Sequence, residues 1–112
     1  MAGEQSFRHN VQVQAADIDA LGHVNNVVYL RWVQEAAEAH WSRLASPEER
    51  SAIAWVVLRH EIDYKQAAKP ADSVYALTWV GETEGVRSVR HVQIYREPGI
   101  LLAEARTTWV LV

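Results

Sequence analysis

Polar and apolar residues alternate between Phe7 and Ala15: Val11, Val13 and Ala15 fall on one side, Asn10, Gln12 and Gln14 on the other. A two-residue period of this kind predicts a half-buried strand. The period then changes. From about Asn26 to Leu44, the residues Leu30, Val33, Ala37, Trp41 and Leu44 recur at three- and four-residue spacing, with Arg31, Gln34, Glu38 and Arg43 mostly off that line. One long helix with a single apolar stripe is expected, helped by the strong helix formers Ala36, Ala37 and Ala39. Ser46-Pro47-Glu48-Glu49 reads as a capping box with proline at the first helical position, so a short second helix should follow. The rest reads as strands: Ala54–Tyr64, Ser73–Val80, Val86–Arg96 and Ile100–Val112. They are divided by a loop at Lys69–Asp72, a turn at Gly81–Gly85 and a turn at Glu97-Pro98-Gly99. Short connections between the later strands favour antiparallel pairing. Residues 1–6 read as a loose terminus.

The expected fold is therefore α+β, a five-stranded, largely antiparallel sheet with one long helix in a single domain. One helix cannot cover both faces of such a sheet. Trp55, Trp79 and Trp109 fall in strands, and the last strand carries Leu101, Trp109 and Leu111 on one face against Leu102, Val110 and Val112 on the other. Long strands also leave edges that must be paired or blocked. A second copy of the chain is the expected cover.

Composition narrows the function classes. At 112 residues the chain fits one domain, and 49% hydrophobic residues argue against disorder. There are no cysteines, which excludes disulfides, thiolate catalysis and cysteine-based zinc sites. A net charge of −3 gives no general attraction to nucleic acid or anionic membrane. No apolar run is long enough to span a bilayer, and the polar start from Met1 to Phe7 has no apolar signal core. A soluble, cytoplasmic protein is expected. The histidines His9, His40, His60 and His91 lack metal-ligand spacing, so no metal is expected. No cofactor motif is present: the sequence has no GxGxxG, P-loop or GxSxG.

The chemistry concentrates in Asp17-Ile18-Asp19-Ala20-Leu21-Gly22-His23-Val24-Asn25-Asn26, directly before the long helix. Asn25 or Asn26 is a good N-cap. Free N–H groups and the helix dipole favour negative charge in front of the first turn. A carboxylate beside such a site suits acyl transfer, although loop acids are also common as turn formers. The segment Asp17-x-Asp19-x-x-Gly22-His23-Val24-Asn25-Asn26-x-x-Tyr29-Leu30, with Glu35-Ala36 following, resembles the acyl-CoA thioesterases of the hotdog-fold superfamily, in particular the 4-hydroxybenzoyl-CoA thioesterase-like group. Glu61-Ile62-Asp63-Tyr64, Pro70-Ala71-Asp72 and Leu101-Leu102-Ala103-x-Ala105-x-Thr107-x-Trp109-Val110 extend the likeness over nearly the whole chain. It departs from relatives at Ala15 and Ala16, where aromatic or basic residues are common, and in stopping at Val112.

The resemblance implies a helix wrapped by the sheet, a homodimer or dimer of dimers with sites at the subunit interface, and hydrolysis of an acyl-CoA to free acid and coenzyme A. It makes Asp19 the catalytic carboxylate, as nucleophile or as general base. Asp17 is expected to shape the loop through backbone N–H groups, and two carboxylates this close should raise the pKa of at least one. Gly22 should supply a backbone shape. His23 could bind the substrate carbonyl or the attacking water, or be a loop histidine; Asn25 could position water or substrate. Asn26 should offer its backbone N–H to the oxyanion. Tyr29 reads as core or pocket wall, and Glu35 as an ion-pair partner or a water-positioning acid. Arg59, Lys65, Arg87 and Arg90 are candidates for the coenzyme A phosphates, with Arg87-Ser88-x-Arg90 the best placed, at a strand start. The alternatives are a non-catalytic module that binds acyl-CoA or acyl-carrier protein, and a hotdog dehydratase, which would need a differently placed histidine.

Overall fold

A computed structural model describes residues 6–112, so the expected loose terminus lies almost wholly outside the described residues. The first strand, β1, is Phe7–Val11. It is shorter than its alternating pattern, because the chain leaves the sheet after Val11 and makes a single 3-10 turn at Ala15–Asp17. Helix α1 is Asn26–Leu44 and helix α2 is Pro47–Ala52. The capping box expected for α2 is present: the Glu49 N–H donates to Ser46 Oγ (3.1 Å) and the Ser46 N–H to Glu49 Oε1 (2.9 Å). Strands β2 (Trp55–Tyr64), β3 (Val74–Glu84), β4 (Arg87–Arg96) and β5 (Ile100–Leu111) follow.

The five strands form one antiparallel sheet in the order β1-β3-β4-β5-β2. The turn expected over Gly81–Gly85 is shorter than that. Strand β3 continues through Gly81 to Glu84, with an irregularity between Val80 and Thr83, and only Gly85 and Val86 turn the chain. Gly81 is a strand residue whose missing Cβ leaves room for the His91 ring; a Cβ there would lie 2.7 Å from that ring.

Helix α1 lies along the sheet against β1, β3 and β4. Its buried residues are Val28, Tyr29, Trp32, Val33, Ala36, Ala37 and His40. The expected stripe shares only Val33 and Ala37 with that face. Leu30 and Trp41 are half-buried and Leu44 is 59% exposed. The stripe is rotated because Tyr29, Trp32 and His40 carry polar atoms yet face the sheet. Tyr29 and Trp32 join the core with Val74, Ala76, Val92, Ile94, Ala103 and Ala105, and His40 stacks on Phe7 of β1 at 5.1 Å. The apolar residues displaced from the buried face are left on the flank of the helix.

Among the described residues, two sheet edges lack a neighbouring strand. β1 is short, at 5 residues; β2 runs for 10 and pairs with β5 on one side. On β2, Val56 is 46% and Leu58 49% exposed. Among the described residues, no helix is long and apolar enough to cross a membrane.

Candidate active site

The loop before α1 is closed on itself. Ile18 and Val24 form an antiparallel bridge, and Asp19 and His23 are tied by the Asp19 N–H on the His23 carbonyl (2.8 Å). Gly22 makes this reversal possible with φ +78°, a left-handed conformation that costs a residue with a Cβ. Two further bonds anchor the loop to its surroundings. The Asn25 N–H donates to the Asp17 carbonyl (2.8 Å), and the Val24 N–H to the Ala68 carbonyl (2.9 Å).

Within this loop the two carboxylates have different environments. Asp17 is buried and paired in a two-pronged contact with Arg31: Nη1 to Oδ1 and Nη2 to Oδ2, both 3.0 Å. The Gln14 N–H adds a third bond, at 2.9 Å. The Arg31 hydrogen bonds hold Asp17 below the ordinary carboxylate range against the opposing effect of burial. The upward push expected from a neighbouring carboxylate is not found at Asp17, where burial alone opposes the guanidinium. Sequence reading missed Arg31 because the pair spans 14 residues and Arg31 looks like an ordinary solvent-facing helix residue.

Asp19 is only half-buried. Its Oδ1 accepts from the Leu21 N–H (2.9 Å) and the His23 N–H (3.3 Å), an Asx-type turn that fixes the carboxylate. Oδ2 takes no hydrogen bond from a described residue. One oxygen is thus a structural anchor and the other is open.

The helix start lies next along the chain. Asn25 is the N-cap: its Oδ1 accepts from the Val27 N–H (3.2 Å) and its carbonyl from the Val28 N–H (2.9 Å). The Asn26 N–H donates to no described residue, so the first helical turn retains an unused donor at its positive end. The Asn26 carbonyl receives the Tyr64 hydroxyl (3.2 Å), which brings the far end of the free β2 edge to this point. Tyr64 was not among the expected site residues; its position in the Glu61–Tyr64 segment was the only signal for it.

The remaining expected residues separate by location. The backbone of His23 closes the loop, while its half-buried ring bonds no described residue. Tyr29 is 1% exposed, and its hydroxyl accepts the Ala68 N–H (2.9 Å). Of its two readings, these surroundings fit a core strut that braces the loop against the β2–β3 connection. Glu35 is exposed and pairs with Arg31 Nε at 3.6 Å. Arg87 is exposed at the start of β4, and Ser88 shares a hydrogen bond with Thr83 (3.3 Å). Arg59 pairs with Glu61 at 3.5 Å on the exposed β2, and Lys65 follows that strand, also exposed. Arg90 does not share the surface position of Arg87. It is 8% exposed, beneath α1, bonded to His40 Nδ1 (2.8 Å) and Thr78 Oγ1 (3.1 Å). The strand's alternation turned it inward, so a groove-mouth phosphate contact does not fit its position.

The model of the acyl-ACP thioesterase C-terminal domain family matches residues 1–111. The chain belongs to this family. No curated protein matches it. Among solved structures, a 1,4-dihydroxy-2-naphthoyl-CoA thioesterase from Synechocystis is similar at 25% identity and TM-score 0.85, over 96% of this chain and 82% of its own. A thioesterase from Thermus thermophilus, complexed with coenzyme A and zinc, is similar at 27% identity and TM-score 0.83, over 92% and 81%. A 4-hydroxybenzoyl-CoA thioesterase variant complexed with 4-hydroxybenzoyl-CoA shares the fold at 18% identity and TM-score 0.87, over 96% and 84%. The hotdog fold and the thioesterase family expected from the acidic loop are both borne out.

Proposed function

We propose that this hotdog thioesterase hydrolyses an acyl-CoA thioester to the free acid and coenzyme A, with Asp19 as the reacting carboxylate. The supporting observation is the division of labour within the loop. Asp17 is neutralised by Arg31 and committed to structure, whereas Asp19 is held by one oxygen and open at the other, just before an unused helix N–H. As nucleophile, Oδ2 would attack the thioester carbonyl; as base, it would take a proton from water. In either route the Asn26 N–H is the donor for the oxyanion, and donors of this kind are worth about 3–4 kcal/mol of barrier. His23 and Asn25 flank the same point and are assigned to positioning of carbonyl or water. Tyr29 braces the loop, and Glu35 holds Arg31. Arg87 and Ser88 remain the candidates for coenzyme A contacts.

The working unit in this reading is a homodimer or a dimer of dimers, with the partner supplying the other wall of the site. The long β2 edge, with Val56 and Leu58 about half exposed, and its Tyr64 contact with the helix start support that arrangement. The family description favours one second reading, in which the thioester is carried by acyl-carrier protein. A thiol-trapping assay over aliphatic and aromatic acyl-CoAs, with an acyl-carrier-protein arm, tests both. Thiol release from at least one acyl-CoA is expected. Release only from the carrier protein would move the assignment to the second reading, and turnover of neither would leave a binding module.

A further inference from the structure

Tyr64 reaches the helix start from the end of β2, and the hydrolytic reading gives its hydroxyl no task in the chemistry. The hydroxyl donates to the Asn26 carbonyl (3.2 Å), and the ring meets Tyr29 edge to face at 5.4 Å. Asn26 is the first residue of α1. A carbonyl there is ordinarily claimed by the N–H four residues on. The Tyr64 hydroxyl is a second donor, brought from another element.

Its effect falls on the backbone around the unused donor. From the Asn25 N–H to the Val27 N–H the chain carries five polar groups, and four have partners. The Asn25 N–H donates to the Asp17 carbonyl (2.8 Å), and the Asn25 carbonyl accepts from the Val28 N–H (2.9 Å). The Asn26 carbonyl accepts from Tyr64, and the Val27 N–H donates to Asn25 Oδ1 (3.2 Å). The Asn26 N–H alone of the five donates to no described residue. The peptide unit between Asn26 and Val27 is thus held at both ends, its N–H by the cap and its carbonyl by Tyr64. The unit that carries the Asn26 N–H is held at its own carbonyl and lies between two anchored units. Its direction is set before a substrate arrives. The acidic loop has a separate tether, the Val24 N–H on the Ala68 carbonyl (2.9 Å), so loss of the Tyr64 hydroxyl would free the first turn and leave Asp19 in place. The bond adds little to stability: Tyr64 is 45% exposed, where water replaces a lost partner.

We propose that Tyr64 is a positioning residue for the oxyanion donor: its hydroxyl pins the first peptide unit of α1 and so aims the Asn26 N–H. The inference rests on the hydrolytic reading, because the aim of that donor matters only where a thioester carbonyl takes up negative charge. Removing an oxyanion donor outright costs about 10²–10³ in rate. Tyr64→Phe keeps the donor and the ring stack and loosens only the aim, so a loss of about ten-fold is expected. It falls on kcat, since the charge develops in the transition state and not in the bound thioester.

Steady-state thiol release from the fastest thioester of the same panel tests this in the wild-type chain, Tyr64→Phe and Asp19→Asn. In Tyr64→Phe, kcat should fall about ten-fold while KM and the affinity for a non-hydrolysable thioether analogue stay within about two-fold. Melting temperature and sedimentation should match the wild type. The Asn26 carbonyl carbon resonance should move upfield, which reads the lost bond without turnover. Wild-type kcat in Tyr64→Phe, a loss confined to KM, or an unmoved Asn26 resonance would each overturn the proposal. A Tyr64→Phe chain that fails to fold or changes its oligomeric state would also overturn it, by assigning the hydroxyl to the fold or to assembly. Wild-type turnover in Asp19→Asn together with the loss in Tyr64→Phe would remove the carboxylate assignment and leave Tyr64 its role. Turnover of no thioester by the wild-type chain would overturn both.

Discussion

Asp17 and Asp19 are two residues apart, yet one is 2% exposed under a guanidinium and the other keeps a free oxygen at the loop surface. Their chemistry follows from that difference. Arg31→Met would leave the Asp17 carboxylate buried with a single N–H partner. Breaking a fully buried pair costs about 3–5 kcal/mol, but Arg31 is 43% exposed and partly screened, so about 2 kcal/mol is expected. The sign with pH is fixed by the lowered pKa of Asp17. A carboxylate depressed in the folded state adds stability above its unfolded pKa, and that stability is lost as pH falls through the folded value. The wild-type advantage over Arg31→Met should be full at neutral pH and should shrink below about pH 4. Denaturant melts of both proteins from pH 7 to pH 3 check this; an unchanged gap at pH 3 would contradict it. The acids themselves were legible from sequence, because their spacing is tied to a family. The partner that tells them apart was not, since a contact across 14 residues depends on how the helix sets down on the loop.

At the scale of elements, two glycines show two different constraints. Gly22→Ala meets no atom within 4 Å, so its cost is conformational, about 1–2 kcal/mol for φ +78°. Because Gly22 holds the reversal that aims Asp19, the same substitution should lower thiol release more than it lowers the melting temperature alone accounts for. Activity measured well below the melting transition separates the two effects. Gly81→Ala is steric instead: its Cβ would press on the His91 ring and lie 3.2 Å from the Val89 carbonyl. The ring would have to leave its stack on Trp79, whose centroid is 5.4 Å away. About 1 kcal/mol of destabilisation with unchanged activity is expected, read from melts and the same assay. Element order and helix limits followed from periodicity. The helix face did not, because hydrophobicity patterns discount Tyr29, Trp32 and His40, which bury their polar atoms against the sheet.

On the whole molecule, the proposed dimer would assemble along the β2 edge. Covering Val56 and Leu58, each about half exposed, is worth about 1 kcal/mol apiece, to which edge hydrogen bonds add. A lysine on that edge is the usual block to pairing. Leu58→Lys should therefore shift the chain from dimer toward monomer in sedimentation at micromolar concentration and, if a partner completes the site, reduce thiol release in parallel. A stable wild-type monomer with full activity would contradict the shared site. The five-stranded sheet was readable from turn chemistry and alternation, whereas its wrap around the helix and the inward turn of Arg90 depend on register, which one sequence does not display. The claim on which the rest depends is that Asp19 carries thioester hydrolysis. Asp19→Asn keeps an Oδ1 to accept the Leu21 and His23 N–H groups, so the loop should stay folded. Thiol release from the best acyl-CoA should fall by a factor on the order of 10²–10⁴ with an unchanged melting temperature. Wild-type turnover in that folded variant would contradict the account.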